Sequence, residues 1–309
     1  MPEGPEVRRS ADQLHAALAG KPIAALAART KAAKAWLAEH PDAFPGRRVE
    51  RVVAHGKHLV GYVEGALYFH SHFMMWGRWA VVPPGDPLAA TRDRRERARV
   101  AVEDAVAVLL SAPVFAVGRG DPYADDDRLA ALGPDILPYD GVFDADAFRA
   151  RLLAPEQRTR TIGAALLDQT VCAGIGNYLR AEVLYETRID PWRRGEALTP
   201  AELDALAHAI PMLAARAYRH RRTVPAAIQQ RLAEDPALVY QPGRDYGTRH
   251  YVFRRTNLPC LRCGDVVRQL NQVTRRIGDE EKRRIIYFCP TCQGTSVEVK
   301  PPKPRPAHA

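Results

Sequence analysis

Four cysteines stand in two pairs, Cys260-x-x-Cys263 and Cys289-x-x-Cys292, with 25 residues between them. Thiolates bind Zn²⁺ tetrahedrally, and two such knuckles on neighbouring hairpins supply a full set of four. A closed four-sulfur shell leaves no open position, so the pattern reads as one structural zinc and argues against a zinc hydrolase. Free or redox-active thiols are the bland alternative, and two knuckles inside a basic module weigh against it. The interval exceeds the usual ~15–20 residues. An enlarged hairpin loop is therefore expected in the polar stretch 275–283, around Gly278-Asp-Glu-Glu281. Cys172, the fifth, sits among apolar residues and reads as a packing residue.

The start, Pro2-Glu3-Gly4-Pro5-Glu6, carries a second chemistry. Once Met1 is removed, Pro2 is a secondary amine with a pKa near ~8, partly unprotonated at neutral pH. Such an amine attacks an aldehyde-like carbon. The product is a charged iminium, because the nitrogen has no second proton to lose, and that makes it an electron sink. Glu3 is adjacent and could shuttle protons. By itself the segment is better read as a rigid start to the chain. Gly174-Ile-Gly-Asn177 offers a third feature: glycines that let a backbone approach closely, then helix-opening amides that face an anion. It lacks the third glycine of a dinucleotide fingerprint, so no nucleotide cofactor is expected.

These residues need elements to hold them. Val7, Ala11, Leu14 and Leu18 recur at helical spacing over 6–18, and Gly20 stops the run. VERVVAH (49–55), residues 57–72 and RWAVV (78–82) read as strands, with hairpin tips at Glu64-Gly65 and Glu103-Asp104. The Arg92–Arg99 run mixes Asp93 and Glu96 with arginines after a Pro-Gly-Pro stretch and reads as an exposed loop. Helical signals follow: Asp144 caps Phe148, Leu152 and Leu153, and Thr199-Pro-Ala-Glu202 is a capping box whose helix should kink at Pro211. Residues 174–186 close the set with a helix over Ile175–Glu186.

Composition sets the class. The 309 residues are 46% hydrophobic and 26% charged, with 45 Lys+Arg against 36 Asp+Glu. That is a soluble globular chain, without a membrane span or a signal-peptide core. Residues 244–292 hold eleven Lys/Arg against five acids, most of the net +9, and Arg216, Arg219, Arg221 and Arg222 lie upstream. A solvated face is the ordinary reading of one charge run. Concentration around a metal module points to a nucleic-acid surface.

Read together and in order, PEGPEV, Gly56-Lys57-His58-Leu59, Leu132-Gly-Pro-Asp-Ile136, Leu166-Leu-Asp-Gln169, Gly174-Ile-Gly-Asn-Tyr-Leu-Arg180 and Arg284 ahead of Cys289-Pro-x-Cys-Gln293 span residues 2–293. This resembles the formamidopyrimidine-DNA glycosylase / endonuclease VIII family of base-excision repair. The Asn-Tyr-Leu-Arg-x-Glu form resembles its endonuclease VIII branch. The resemblance implies an α+β multidomain fold: an N-terminal β-sandwich with a leading helix (1–135), a helix–two-turn–helix domain (136–245), a four-cysteine zinc finger (250–296) and a disordered tail (297–309). It implies removal of oxidised bases coupled to strand cleavage by β,δ-elimination.

Carried over, Pro2 would form a Schiff base with the sugar C1′ and Glu3 would protonate the sugar oxygen, with Glu6 in support. Lys57 would contact phosphate and assist β-elimination, Asn177 would bind a phosphate, and Arg284 would grip phosphate and assist δ-elimination. His72-Phe-Met-Met-Trp-Gly77 aligns with the loop that fills the void left by an extruded base, which makes Met75 and Trp76 DNA-contacting residues. For Met74 a wedge and a buried strand end are equally good readings, and endonuclease VIII proteins carry a polar residue there. The Arg-x-Phe loop of the purine-directed enzymes is not found: Ala112-Pro-Val-Phe-Ala116 lacks the arginine. Oxidised pyrimidines are therefore the expected substrates. A formamidopyrimidine-type enzyme acting on oxidised purines is the runner-up, and a non-catalytic DNA-binding member of the same fold is a further alternative. A cytoplasmic monomer with damaged DNA as partner completes the expectation.

Overall fold

The computed structural model describes residues 2–91, 93–240, 247–295 and 297–298. The tail expected to be disordered lies mostly outside these. The chain divides into two compact units, 1–132 and 133–309.

The first unit opens with α1 (Gly4–Leu18), continues through β1 (Ala25–Ala28) and α2 (Lys31–Glu39), and then runs as strands. These are β2 (Val49–His55), β3 (His58–Val63), β4 (Leu67–His72), β5 (Arg78–Val82), β6 (Glu96–Ala101), β7 (Val106–Leu110) and β8 (Val114–Arg119). They pair antiparallel as two sheets, β1-β6-β7-β5 and β2-β3-β4-β8. One hydrophobic core draws on both sheets and on the apolar stripe of α1. Phe69, Trp79 and Phe115 meet across it with ring centroids 6.1–6.3 Å apart. Gly61 has no alternative there, because a Cβ would stand 2.0 Å from the Phe69 ring. Val7, Ala11, Leu14 and Leu18 are all buried, as their spacing required, and truncating such a leucine to alanine typically costs about 2–5 kcal/mol.

The 92–99 run is a correction. Residues from Glu96 onward are not loop but β6, with Glu96, Ala98 and Val100 inward and Arg97 outward. The charges fit because the Arg99 guanidinium bonds to the Glu96 carboxylate (2.8 Å) and to the carbonyls of Leu88 and Thr91 (both 3.1 Å).

The second unit contains α3 (Ala145–Leu152), α4 (Asn177–Glu186), α5 (Pro200–His220) and α6 (Ala226–Glu234). Asp144 caps α3 by accepting from the Ala147 amide at 2.9 Å. Leu153 falls just beyond that helix and is exposed. The Thr199–Glu202 capping box opens α5, which continues through Pro211 to His220. The helix expected from Ile175 begins at Asn177, with Gly176 as its N-cap. A long ribbon follows, β9 (Arg268–Ile277) and β10 (Glu280–Phe288). Here too the expectation is corrected: no enlarged loop occupies 275–283. The additional length extends the strands, and Ile277 pairs with Glu280 across a two-residue turn at Gly278-Asp279. Gly278 has φ +57°, the left-handed backbone that such a turn demands. Val252, Cys260, Val267, Ile286, Phe288 and Cys289 share one core with the helices, so the cysteine module is part of this unit's interior.

Candidate active site and metal centre

Pro2 is half-buried immediately ahead of α1, and Glu3, the N-cap of that helix, is 1% exposed. Glu6 supports the arrangement: its carboxylate accepts from the Glu3 amide at 3.0 Å and from Arg9 at 2.7 Å. Two acids at a helix start match the positive end of its dipole. The chain thus presents Pro2 on a rigid mount with a buried carboxylate beside it.

Lys57 is half-buried at the two-residue tip between β2 and β3, where His55 pairs with His58. Gly56 takes φ +56°, matching the glycine preference at the first position of a II′ hairpin turn. Three histidines pack behind this tip. His58 Nδ1 lies 2.9 Å from His70 Nε2, and the His58 and His72 ring centroids are 4.6 Å apart. Burial first, then mutual repulsion with His72 and His70, holds His58 down to about 2. Burial outweighs Asp126 and holds His70 down to about 4, while burial and then the Lys57 charge hold His72 down to about 4. All three rings are neutral at pH 7.

Met74, Met75 and Trp76 project from the end of β4 and are 51%, 52% and 79% exposed. The buried-strand-end reading of Met74 is therefore overturned. The loop closes under them: the Gly77 amide donates to the Phe73 carbonyl at 2.9 Å, and Phe73 is buried. A Cβ at Gly77 would lie 2.5 Å from that same carbonyl oxygen. Met74 itself has φ +53°, which costs a non-glycine residue about 1–2 kcal/mol.

In the second unit, Asn177 and the β10 backbone beside Arg284 meet on one side chain. Arg180 Nη2 donates to Asn177 Oδ1 at 2.6 Å and to the Ile285 carbonyl at 2.7 Å. A guanidinium only donates, so the Asn177 oxygen must face it and the Nδ2 donors point elsewhere. That orientation suits binding of an anion. Arg284 is exposed on β10, opposite the buried Gln272, which bonds to the Pro191 carbonyl at 2.8 Å.

The four cysteine sulfurs lie within 4.8 Å of one another. Cys260 and Cys292 are 3.8 Å apart, and Cys263 and Cys289 are 3.5 Å apart. A tetrahedron with 2.3 Å metal–sulfur bonds has edges of about 3.8 Å, so the cluster fits a single ion. The Arg262 amide approaches Cys260 Sγ at 3.5 Å, the Cys292 amide approaches Cys289 Sγ at 3.4 Å, and the Tyr185 hydroxyl lies 3.3 Å from Cys260 Sγ. Such polar contacts orient ligands around a metal. Cys172 is fully buried in the core, as a packing residue should be.

Two family models match: the formamidopyrimidine-DNA glycosylase N-terminal domain over residues 1–111 and the formamidopyrimidine-DNA glycosylase H2TH domain over 132–225. The chain is 32% identical over 300 residues to proteins named Endonuclease 8 from Klebsiella pneumoniae subsp. pneumoniae and from Escherichia coli O9:H4. In both cases 95% of this chain and all of the relative are covered. The chain belongs to the formamidopyrimidine-DNA glycosylase / endonuclease VIII family. A solved Lactococcus lactis Fpg in complex with abasic-site DNA has the same fold, with a TM-score of 0.71 over 94% of this chain and 99% of that one at 19% identity.

Within this family member, two residues that sequence reading took only as markers of a branch turn out to organise the second unit. Arg180 and Glu182 are both fully buried on α4. Glu182 accepts from Thr223 Oγ1 (2.5 Å) and from the consecutive amides of Tyr251 (2.7 Å), Val252 (2.9 Å) and Phe253 (3.0 Å). The available signal was two charges on a helix whose Leu179, Ala181, Val183 and Leu184 leave no polar face. The histidine cluster was missed as well. Its signal is the alternation His58, His70, His72 on adjacent antiparallel strands.

Proposed function

We propose that this DNA glycosylase and abasic-site lyase works through the amine of Pro2 and acts best on oxidised pyrimidines. The observation that carries the mechanism is the mount of Glu3: a buried carboxylate at the helix N-cap, directly after the proposed nucleophile. Pro2 nitrogen attacks C1′ as the bond to the damaged base breaks. Glu3 delivers a proton to the sugar ring oxygen, the ring opens, and the iminium remains. That electron sink acidifies the C2′ proton, whose removal expels the 3′ phosphate. A second elimination releases the 5′ phosphate, and water then frees Pro2. Lys57 assists the first elimination and Arg284 the second, while Asn177 offers its Nδ2 donors to a backbone phosphate. Met74, Met75 and Trp76 enter the stack where the damaged nucleotide leaves it, since chemistry on C1′ needs that nucleotide extruded.

The metal of the Cys260, Cys263, Cys289 and Cys292 cluster is one structural Zn²⁺, in keeping with an all-thiolate tetrahedral set. The enzyme works as a monomer on damaged DNA, in the cytoplasm. Among the described residues no helix is long and apolar enough to cross a membrane. Pyrimidine preference is supported by the Asn177-Tyr-Leu-Arg180 motif, by the missing Arg-x-Phe loop and by relatives named Endonuclease 8. Borohydride trapping on abasic DNA, with the cross-linked residue mapped, tests the nucleophile: attachment anywhere but Pro2 overturns it. Single-turnover excision of dihydrouracil against 8-oxoguanine tests the substrate. Faster release of 8-oxoguanine, with strong preference for cytosine opposite, would reverse the assignment.

A further inference from the structure

The loop that carries Met74, Met75 and Trp76 is held at its base by the side chain of His72, the first residue of the segment aligned with the void-filling loop. The Met74 amide donates to His72 Nδ1 at 3.2 Å. An amide only donates, so that ring nitrogen carries no proton and the ring's proton is on Nε2. His72 ends β4 opposite His58, next to the Lys57 tip, and its ring packs on His58 with centroids 4.6 Å apart. The bond falls where it is needed, because Met74 has the left-handed φ of +53° that this residue does not favour. Gly77 closes the other side through the Phe73 carbonyl at 2.9 Å. The three exposed apolar side chains therefore sit on a loop fixed by two hydrogen bonds, one of them to a histidine.

We propose that His72 is a positioning residue for base extrusion, its Nδ1 holding the Met74 amide so that the Met74-Met75-Trp76 loop stays raised for entry into the DNA stack. The inference rests on the reading that this loop fills the void. Burial, and then the lysine beside it, keep the ring neutral and the acceptor available. Asparagine at the same position can accept from an amide two residues on, as in an Asx turn, whereas leucine keeps bulk without an acceptor.

The test compares His72→Leu, His72→Asn and Met75→Ala/Trp76→Ala in the full chain. Each is measured in single turnover on a duplex with dihydrouracil and on a duplex with a preformed abasic site, where no base has to be unstacked. His72→Leu is expected to slow dihydrouracil release about tenfold and abasic-site cleavage less than twofold, with His72→Asn within threefold of the unaltered enzyme. Unchanged release in His72→Leu, equal loss on both duplexes, or an asparagine variant as slow as leucine overturns the proposal while leaving the loop reading intact. Full activity of Met75→Ala/Trp76→Ala on dihydrouracil overturns the loop reading and this proposal with it.

Discussion

Glu182→Gln isolates the buried carboxylate that anchors the approach to the cysteine module. Four donors converge on Glu182: one hydroxyl and three consecutive amides, at 2.5–3.0 Å. Glutamine keeps one accepting oxygen and turns the other into a donor. The Val252 and Phe253 amides share Oε1, so the oxygen is best kept there. The new NH₂ then faces Thr223 Oγ1 and the Tyr251 amide. The threonine hydroxyl can reverse and accept, but an amide cannot. One buried N–H loses its partner, and the remaining bonds lose their charge assistance, a cost of about 2–4 kcal/mol. At 1.4 kcal/mol per factor of ten, local opening around 251–253 becomes roughly 30- to 1000-fold more frequent. Native-state hydrogen exchange resolves this where a single unfolding curve of a two-unit protein would not. The amides of Tyr251, Val252 and Phe253 should lose protection, whereas those of β3 and β4 in the other unit should not. Unchanged exchange at 251–253 would refute the assignment of these bonds as the anchor.

Other expectations follow from the same geometry. Cys289→Ser should release the bound metal, seen as loss of one zinc per chain by elemental analysis, and weaken DNA binding; a metal-free protein with full activity would contradict the structural role. Arg284→Ala should weaken DNA binding and lower the slope of log affinity against log salt by roughly one, and an unaltered slope would rule out its phosphate contact. An additional residue left before Pro2 should abolish borohydride trapping, and Glu3→Gln should lose base excision more than cleavage of preformed abasic sites. For the first unit, stability should fall as pH drops from ~6.5 toward about 4, because the unfolded histidines take up protons that folded His58 and His70 refuse. At pH 5 that is about 2 kcal/mol for each of these two buried rings, and His70→Gln should flatten the pH dependence of the melting temperature.

Much of this molecule was legible because one face of an element had to be apolar. The α1 stripe, β2, β5 and the Thr199–Glu202 cap follow from spacing alone, and the four cysteines follow from ligand chemistry. The failures share a cause: they fall where polar groups bond to one another out of sight of periodicity. Arg99 and Glu96 neutralise each other, so β6 looked like a charged loop. Arg180 and Glu182 looked like motif letters, although each satisfies several backbone groups across long sequence separations.

The β9–β10 ribbon gives the most instructive failure. From 275 to 285 every described residue except Glu281 is exposed, so its sequence carries no apolar alternation and reads as loop. It is nevertheless strand, because the ribbon is secured at its base, by Ile286 and Phe288 in the core, by Arg180 on the Ile285 carbonyl and by Arg160 on the Thr274 carbonyl at 2.9 Å. Within the exposed part Glu281 pairs with both Arg276 and Arg283 at 2.7 Å. The three acids of that stretch, Asp279, Glu280 and Glu281, do not neutralise its five cations, Arg275, Arg276, Lys282, Arg283 and Arg284. A solvated two-stranded ribbon gains little stability from itself. A surplus of cations on a secured base suits a polyanionic ligand, in keeping with the phosphate contact proposed for Arg284, which stands at the boundary between the secured and the exposed parts.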